Sequence, residues 1–324
     1  MLSQKARYLI SFQYSGTMYS GVMETPPHQA TLGVQNYLEK AAEKLRPLVP
    51  VKFVISSRTD TGVHALCNTA HIDIERSGGK PPFSESVLVQ ALNRNLKHEP
   101  IRVLAARRVS DTFHARFSAL SRTYVYRVVT GCSCPSDLPV FERNLCWVTQ
   151  RGHLDLAAMQ EAAGLLVGTH DFSTFRSASS ELPAKNPVKT IDQLEIRPSS
   201  GFLMHHVKSS DLKFWELEFT SRSFLYKQTS QPLRMPAIDV DKTSDENASD
   251  SPENSQQPKV RRMAGVLVAV GQHRLDPECV KTLLDIRDLM AYPPSTIAPA
   301  CGLFLKNVEY CEADLDTGRT EAET

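Results

Sequence analysis

The feature that most narrows the fold is a succession of local periodicities that occurs twice along the chain. Residues 7–14 (RYLISFQY) are rich in β-formers and predict a strand. Residues 32–45 space Leu32, Val34, Tyr37, Leu38, Ala41 and Leu45 near helical period. Strands are expected over 51–56 and 68–74. A helix follows over 84–96, with Ser84 as N-cap, and then a strand over 101–107. The order is β-α-β-β-α-β, a ferredoxin-like unit. The remainder repeats it loosely. Strands are predicted at 122–129, 188–196, 213–219 and 302–310, and helices at 153–166, after Arg222 and at 277–289. The expected fold is α+β: two ferredoxin-like halves, residues 1–110 and 111–311, forming one wide antiparallel sheet. Helices lie on one face, and a central cleft between the halves is the natural ligand site.

Residues 229–259 interrupt this pattern. They are dense in Ser, Asp, Asn, Gln and Pro and nearly devoid of large apolar side chains after Ile238 and Val240. Such a stretch cannot bury enough surface to offset its ordering entropy, so it reads as a disordered insert. The polar residues 312–324 read as a flexible tail.

Composition removes several function classes. The 37 Lys plus Arg nearly balance 36 Asp plus Glu, so any nucleic-acid surface has to come from local clustering. A cleft built from Arg58, Arg116, Arg122, Arg127, Arg261 and Arg262 is the candidate, and it predicts a shallow salt dependence of any nucleic-acid affinity. No apolar run suggests a membrane span. The seven cysteines lack Cys-x-x-Cys spacing, so neither a zinc site nor a disulfide framework is indicated. Reduced thiols and the lack of a secretory leader point to an intracellular protein, with cytoplasm, nucleus and mitochondrion all open.

Three segments carry chemistry. In Ser57-Arg58-Thr59-Asp60-Thr61-Gly62-Val63-His64, a carboxylate stands beside a guanidinium in a short loop between strands. Held ionised, it is a candidate nucleophile. Taken alone, Arg-x-Asp in a turn is more often a surface ion pair or an Asx-turn. Asp60-Thr61-Gly62 also matches the aspartic-protease tripeptide, but those enzymes need two carboxylates sharing a proton, and a neighbouring arginine opposes that state. The second segment, Phe113-His114-Ala115-Arg116-Phe117-Ser118-Ala119 followed by Arg122-Thr123-Tyr124, interleaves cations with aromatics, suited to phosphates and extruded bases. A half-buried strand with a solvated basic face is the commoner meaning of that pattern. The third segment is Ser223–Gln228 together with Val260-Arg261-Arg262 and Gly265. It forms one amphipathic helix if the insert is removed.

Together these segments resemble the TruA-type tRNA pseudouridine synthases, most nearly the eukaryotic tRNA pseudouridine synthase-like branch. The resemblance runs from Tyr8 to about Tyr310 and includes Gly168-Thr169-His170-Asp171-Phe172 and Gly302-Leu303-Phe304-Leu305. It implies isomerisation of specific uridines to pseudouridine, typically in the anticodon arm of tRNA, by a monomer or homodimer needing neither metal nor organic cofactor. It makes Asp60 the nucleophile, Arg261 its ion-pair partner and Tyr124 the residue that stacks on the target base. Arg58, Arg116 and Arg122 would bind the substrate. The target uridine would be flipped out of its stack. Two departures stand out. Gly21 is followed by Val22 and Met23 where the family has Trp-Gln, and residues 229–259 fall inside the helix expected to carry Arg261. The insert makes a catalytically impaired RNA-binding protein or RNA chaperone the rival reading.

Overall fold

The structure is a computed structural model that describes residues 5–132, 134–149, 153–176, 186–200, 211–222 and 257–316. The elements in chain order begin with β1 (Ala6–Tyr14), α1 (Val34–Glu43), β2 (Val54–Ile55), β3 (His64–Ile74), α2 (Glu85–Asn95) and β4 (Ile101–Val109). They continue with β5 (Ala119–Thr130), β6 (Trp147–Val148), α3 (Leu156–Leu166), β7 (Gly168–Asp171), β8 (Val188–Ile191), β9 (Gln193–Ser199) and β10 (Lys213–Arg222). The chain closes with α4 (Gln257–Gly271), α5 (Cys279–Ile286), β11 (Leu303–Tyr310) and α6 (Glu312–Leu315).

The architecture is α+β, with one large, mostly antiparallel sheet in the order β4-β1-β3-β11-β5-β10-β9. The short strands β2 and β6 add to β3 and β5, while β7 and β8 form a separate two-stranded sheet. Among the described residues, only β11–β3 and β5–β6 run parallel. The β11–β3 contact is the seam between N-terminal and C-terminal strands, and it is just two residue pairs long: Phe304 with His64 and Leu305 with Ala65. The loop bearing Asp60 ends at that seam.

Strand alternation sorts the side chains. Tyr8, Ile10 and Phe12 of β1 join α1 through α5 in the main core, which also takes in Tyr124 and Tyr126 of β5 and Leu303 and Leu305 of β11. Leu9, one residue out of phase, points to the other face, where Val109, Phe113, Ala115 and Leu315 cover it. That face is therefore roofed by the loop 111–118 and the short helix α6. Residues 312–315 of the expected flexible tail are thus helical, because Leu315 has an apolar surface to bury.

Three further expectations differ in extent. The single strand expected over 188–196 breaks at Asp192, whose N–H donates to Thr220 and whose carboxylate accepts the Arg222 N–H. The chain leaves the small sheet there and enters the large one. The helix expected over 277–289 shortens to α5, because Arg287 takes a left-handed conformation (φ 55°). The expected insert 229–259 ends earlier than its composition suggests, since α4 begins at Gln257. Pro258 falls in the first turn, where a missing N–H leaves no helical bond unmade. The segment Ser223–Gln228 and the insert up to residue 256 lie outside the described residues. Among the described residues no helix is long and apolar enough to cross a membrane, and the seven cysteines are free.

Candidate active site

Asp60 stands at the first position of a tight turn closed by Val63 N–H donating to the Asp60 carbonyl (3.1 Å). Gly62, the third turn residue, has φ +78°, a conformation that disfavours any side chain. The residues leading into the turn are fixed from several sides. Ser56 N–H donates to Thr69 of β3 (2.8 Å), and Val22 N–H donates to the Thr59 carbonyl (3.0 Å). Asn68 Nδ2 donates to the Ser57 carbonyl (2.8 Å). The Thr59 hydroxyl shares a 2.6 Å hydrogen bond with the Tyr14 phenol, which burial keeps protonated by raising its pKa. The backbone at Gly21 packs so closely that a Cβ there would lie 2.5 Å from the Thr59 oxygen. Ser56, Ser57 and Thr59 are buried by these contacts, and Asp60 emerges from them half-buried.

Arg122 is the main tie. It is 4% exposed. Its Nε donates to Ser57 Oγ (2.7 Å), and its Nη2 donates to the Ser56 carbonyl, Ser56 Oγ and the Arg116 carbonyl, each at 3.2 Å. Arg122, expected to bind substrate, occupies an interior position. The guanidinium clamps the Asp60 loop to the Phe113–Ala119 segment, and burial lowers its pKa. Sequence alternation alone does not separate these cases, because strand β5 can place Arg122 on a solvated face or beneath a loop.

The second motif segment is equally fixed. The Ala115 N–H donates to His71 Nδ1 (3.1 Å), and the Tyr310 phenol donates to the Ala115 carbonyl (2.7 Å). His114 Nδ1 accepts the N–H groups of Arg116 and Phe117. Both histidines act as acceptors, so they must be neutral at the nitrogens involved. Burial lowers both pKa values, that of His71 to about 4. The unfolded chain therefore binds these protons first. The stabilisation is complete above the unfolded value of about 6.5 and is lost as pH falls toward 4. Denaturant midpoints are expected to drop between pH 7 and pH 4.5, and the drop should shrink in His71→Gln.

Tyr124 is 3% exposed and faces Phe219 and Leu305 across its neighbouring strands. With Phe172, Ile191, Val260 and Met263 it lines a small cavity whose cationic members are Lys189 and Lys259. Burial, reinforced by Lys189 and Arg176, lowers the Lys259 pKa to about 8. Sequence reading missed Lys259, which it assigned to the insert. Arg261 lies one turn into α4, half-buried. Its Nε donates to the Ala298 carbonyl (2.8 Å), and the Ala298 N–H returns a bond to the Arg261 carbonyl (3.3 Å). Two residues further on, Ala300 sits against the Asp60 turn, its Cβ 3.4 Å from where a Gly62 Cβ would be. Segment 298–300 thus bridges the helix of Arg261 and the turn of Asp60.

Two other arginines of the expected cleft are engaged elsewhere. Arg127 pairs with buried Glu142 at 2.8 Å and donates to the Leu145 carbonyl. Arg262 lies 4.4 Å over the Tyr292 ring and donates to the Thr174 carbonyl. Arg58, Arg116 and Arg261 are half-buried. His64, next to the turn, is a structural histidine. Its Nδ1 accepts the Gly16 N–H, its Nε2 donates to the Asn144 carbonyl, and its ring stacks on Phe304 at 4.6 Å. It also floors a separate groove of about 520 Å³ lined by Lys97 and Arg102.

The fold is α+β, and it presents Asp60 half-buried on a tight turn beside the β11–β3 seam. Residues 10–118, 162–230 and 257–311 match the family model described as tRNA pseudouridine synthase. Residues 231–256 of the polar stretch fall outside the match. The chain is 55% identical over 316 residues to tRNA pseudouridine synthase-like 1 of Xenopus laevis, covering 98% of this chain and 95% of that one. It is 48% identical over 309 residues to the protein of that name from Homo sapiens (95% and 91%). It is 33% identical over 314 residues to tRNA pseudouridine synthase A of Paramagnetospirillum magneticum (97% and 99%). The chain belongs to the tRNA pseudouridine synthase family.

Proposed function

We propose that this chain isomerises specific uridines of tRNA, in the anticodon arm, to pseudouridine, with Asp60 as the nucleophile. The observation that carries the reading is the fixed presentation of Asp60 by buried polar contacts in a chain of this family. The reaction breaks the N1–C1′ bond of the nucleotide and forms C5–C1′. C5 loses a proton and N1 gains one, so no electron donor or acceptor enters the balance. Asp60 can serve by attack at C1′ or by addition to the base, and either route needs an ionised carboxylate.

Arg261, beside the bridge to the Asp60 turn, is the cation that holds that carboxylate ionised. Arg58 and Arg116 contact the RNA backbone and Tyr124 stacks on the flipped uracil. Entry of a base requires the small cavity at Tyr124 to widen, most simply by movement of the first turn of α4. The β-α-β-β-α-β order of the first six elements and the sheet order around β3 support two ferredoxin-like halves meeting at the seam. Names of the relatives give no support to a binding-only protein.

The direct test is pseudouridine formation in unmodified tRNA transcripts, mapped by carbodiimide-adduct primer stops. Stops above background at a uridine of the anticodon arm support the reading, and none at any uridine refutes it. Arg122, Arg127 and Arg262 are engaged with protein groups, so the cleft neutralises few phosphates and a log–log salt slope well shallower than −5 is expected. A filter-binding slope of −5 or steeper contradicts this placement.

A further inference from the structure

Phe117 is 57% exposed, although the loop that carries it is held at every residue from His114 to Ser118. Phe117 N–H and Ser118 N–H both donate to the His114 carbonyl (3.0 and 2.8 Å). His114 Nδ1 accepts from Arg116 N–H, Ala115 is bonded at both its N–H and its carbonyl, and the Arg116 carbonyl accepts from Arg122. A loop this constrained fixes an apolar ring in solvent, where burial elsewhere would be favourable. The ring is not isolated. The His114 ring lies 4.2 Å from it at a 35° tilt, and the Arg116 guanidinium carbon is 5.8 Å from its centroid. His114 is kept neutral by burial, so it contributes an aromatic face instead of a charge.

We propose that Phe117, flanked by His114 and Arg116, is a stacking platform for an unpaired base of the RNA strand adjoining the target uridine. The inference rests on the tRNA reading above and adds a subsite to it. One guanidinium, Arg122, holds both the Arg116 carbonyl and Ser57. Phe117 and Asp60 therefore lie one and three residues from a shared anchor, within roughly 20 Å of each other. A few nucleotides span that distance. An aromatic face beside a cation suits a nucleobase and its phosphate, and stacking of this kind accepts any base. A second copy of this chain is a poorer occupant. The exposed apolar side chains here are Phe117 and Leu120, far short of the ~800 Å² per partner that a stable dimer buries.

The test uses Phe117→Ala, Phe117→Leu and Phe117→Trp in the full chain, with filter binding to an unmodified tRNA transcript and tryptophan emission. The alanine and leucine variants are expected to bind roughly five- to a hundredfold more weakly. The tryptophan variant should keep wild-type affinity, and its added emission, above the background of the two native tryptophans, should be quenched by tRNA. Wild-type affinity in the alanine or leucine variant overturns the proposal, as does an unquenched tryptophan. So does a dimer that Phe117→Ala dissociates while tRNA affinity stays intact. Binding and quenching read the platform alone. A wild-type chain that shows both but forms no pseudouridine refutes the catalytic reading and leaves the platform standing.

Discussion

Asp60→Asn is expected to lower pseudouridine formation by about 10⁴-fold or more, the scale of losing a nucleophile that works as part of a unit. Affinity for tRNA should stay within a few-fold of wild type. The substitution is nearly isosteric, and the Val63 N–H bond and the Tyr14–Thr59 pair hold the turn and its approach. The two readouts separate roles. Loss of turnover with retained binding assigns the carboxylate to chemistry. Loss of both, with an unchanged melting temperature, would make Asp60 an RNA contact. Full turnover in single-turnover assays would remove it from the mechanism altogether.

The second large effect falls on stability. Arg122→Met removes four hydrogen bonds from a buried guanidinium and leaves Ser56, Ser57 and the Arg116 carbonyl without their donor. A loss of about 3–5 kcal/mol is expected, since each buried partner keeps its desolvation cost when its mate is removed. In a chain of this size that corresponds to a fall of roughly 4–7 °C in melting temperature. Arg122→Lys should recover only part of it, because an ammonium cannot reproduce the planar fork that reaches Ser57 and Ser56 together. A surface phosphate ligand would behave in the opposite way, with an unchanged melting curve and weaker tRNA binding. Thermal denaturation of the two variants beside their tRNA affinity decides between these roles. Because Arg122 ties both motif segments, the methionine variant should also disturb Phe117, visible as loss of quenching in a Phe117→Trp background.

Much of the fold was legible before any coordinates. In β1, the density of β-formers over residues 7–14 marks a strand, and α1 carries its apolar residues at helical period. These signals are local, so short windows reveal them. The breaks were less legible. Asp192 splits an apparently single strand through bonds to Thr220 and Arg222, which lie almost thirty residues away. Leu315 turns the start of a polar tail into a helix only because Leu9 and Val109 offer it a surface.

The site divides along the same line. Through its resemblance to the family the sequence singled out Asp60, Arg58, Tyr124 and Arg261, whereas residue type and spacing alone favoured a surface ion pair for Arg58 and Asp60. Only the tertiary structure decided what each cation does. Arg122, Arg127 and Arg262 look alike in sequence, yet they are respectively a clamp between two loops, the partner of buried Glu142, and a cover for Tyr292. The physical reason is that a guanidinium's role is set by the acceptors around its head, and those come from chain segments up to 88 residues distant. Exposure of Phe117 is decided in the same way. Hydrogen bonds to His71, Arg122 and Tyr310 hold its loop with the ring turned outward.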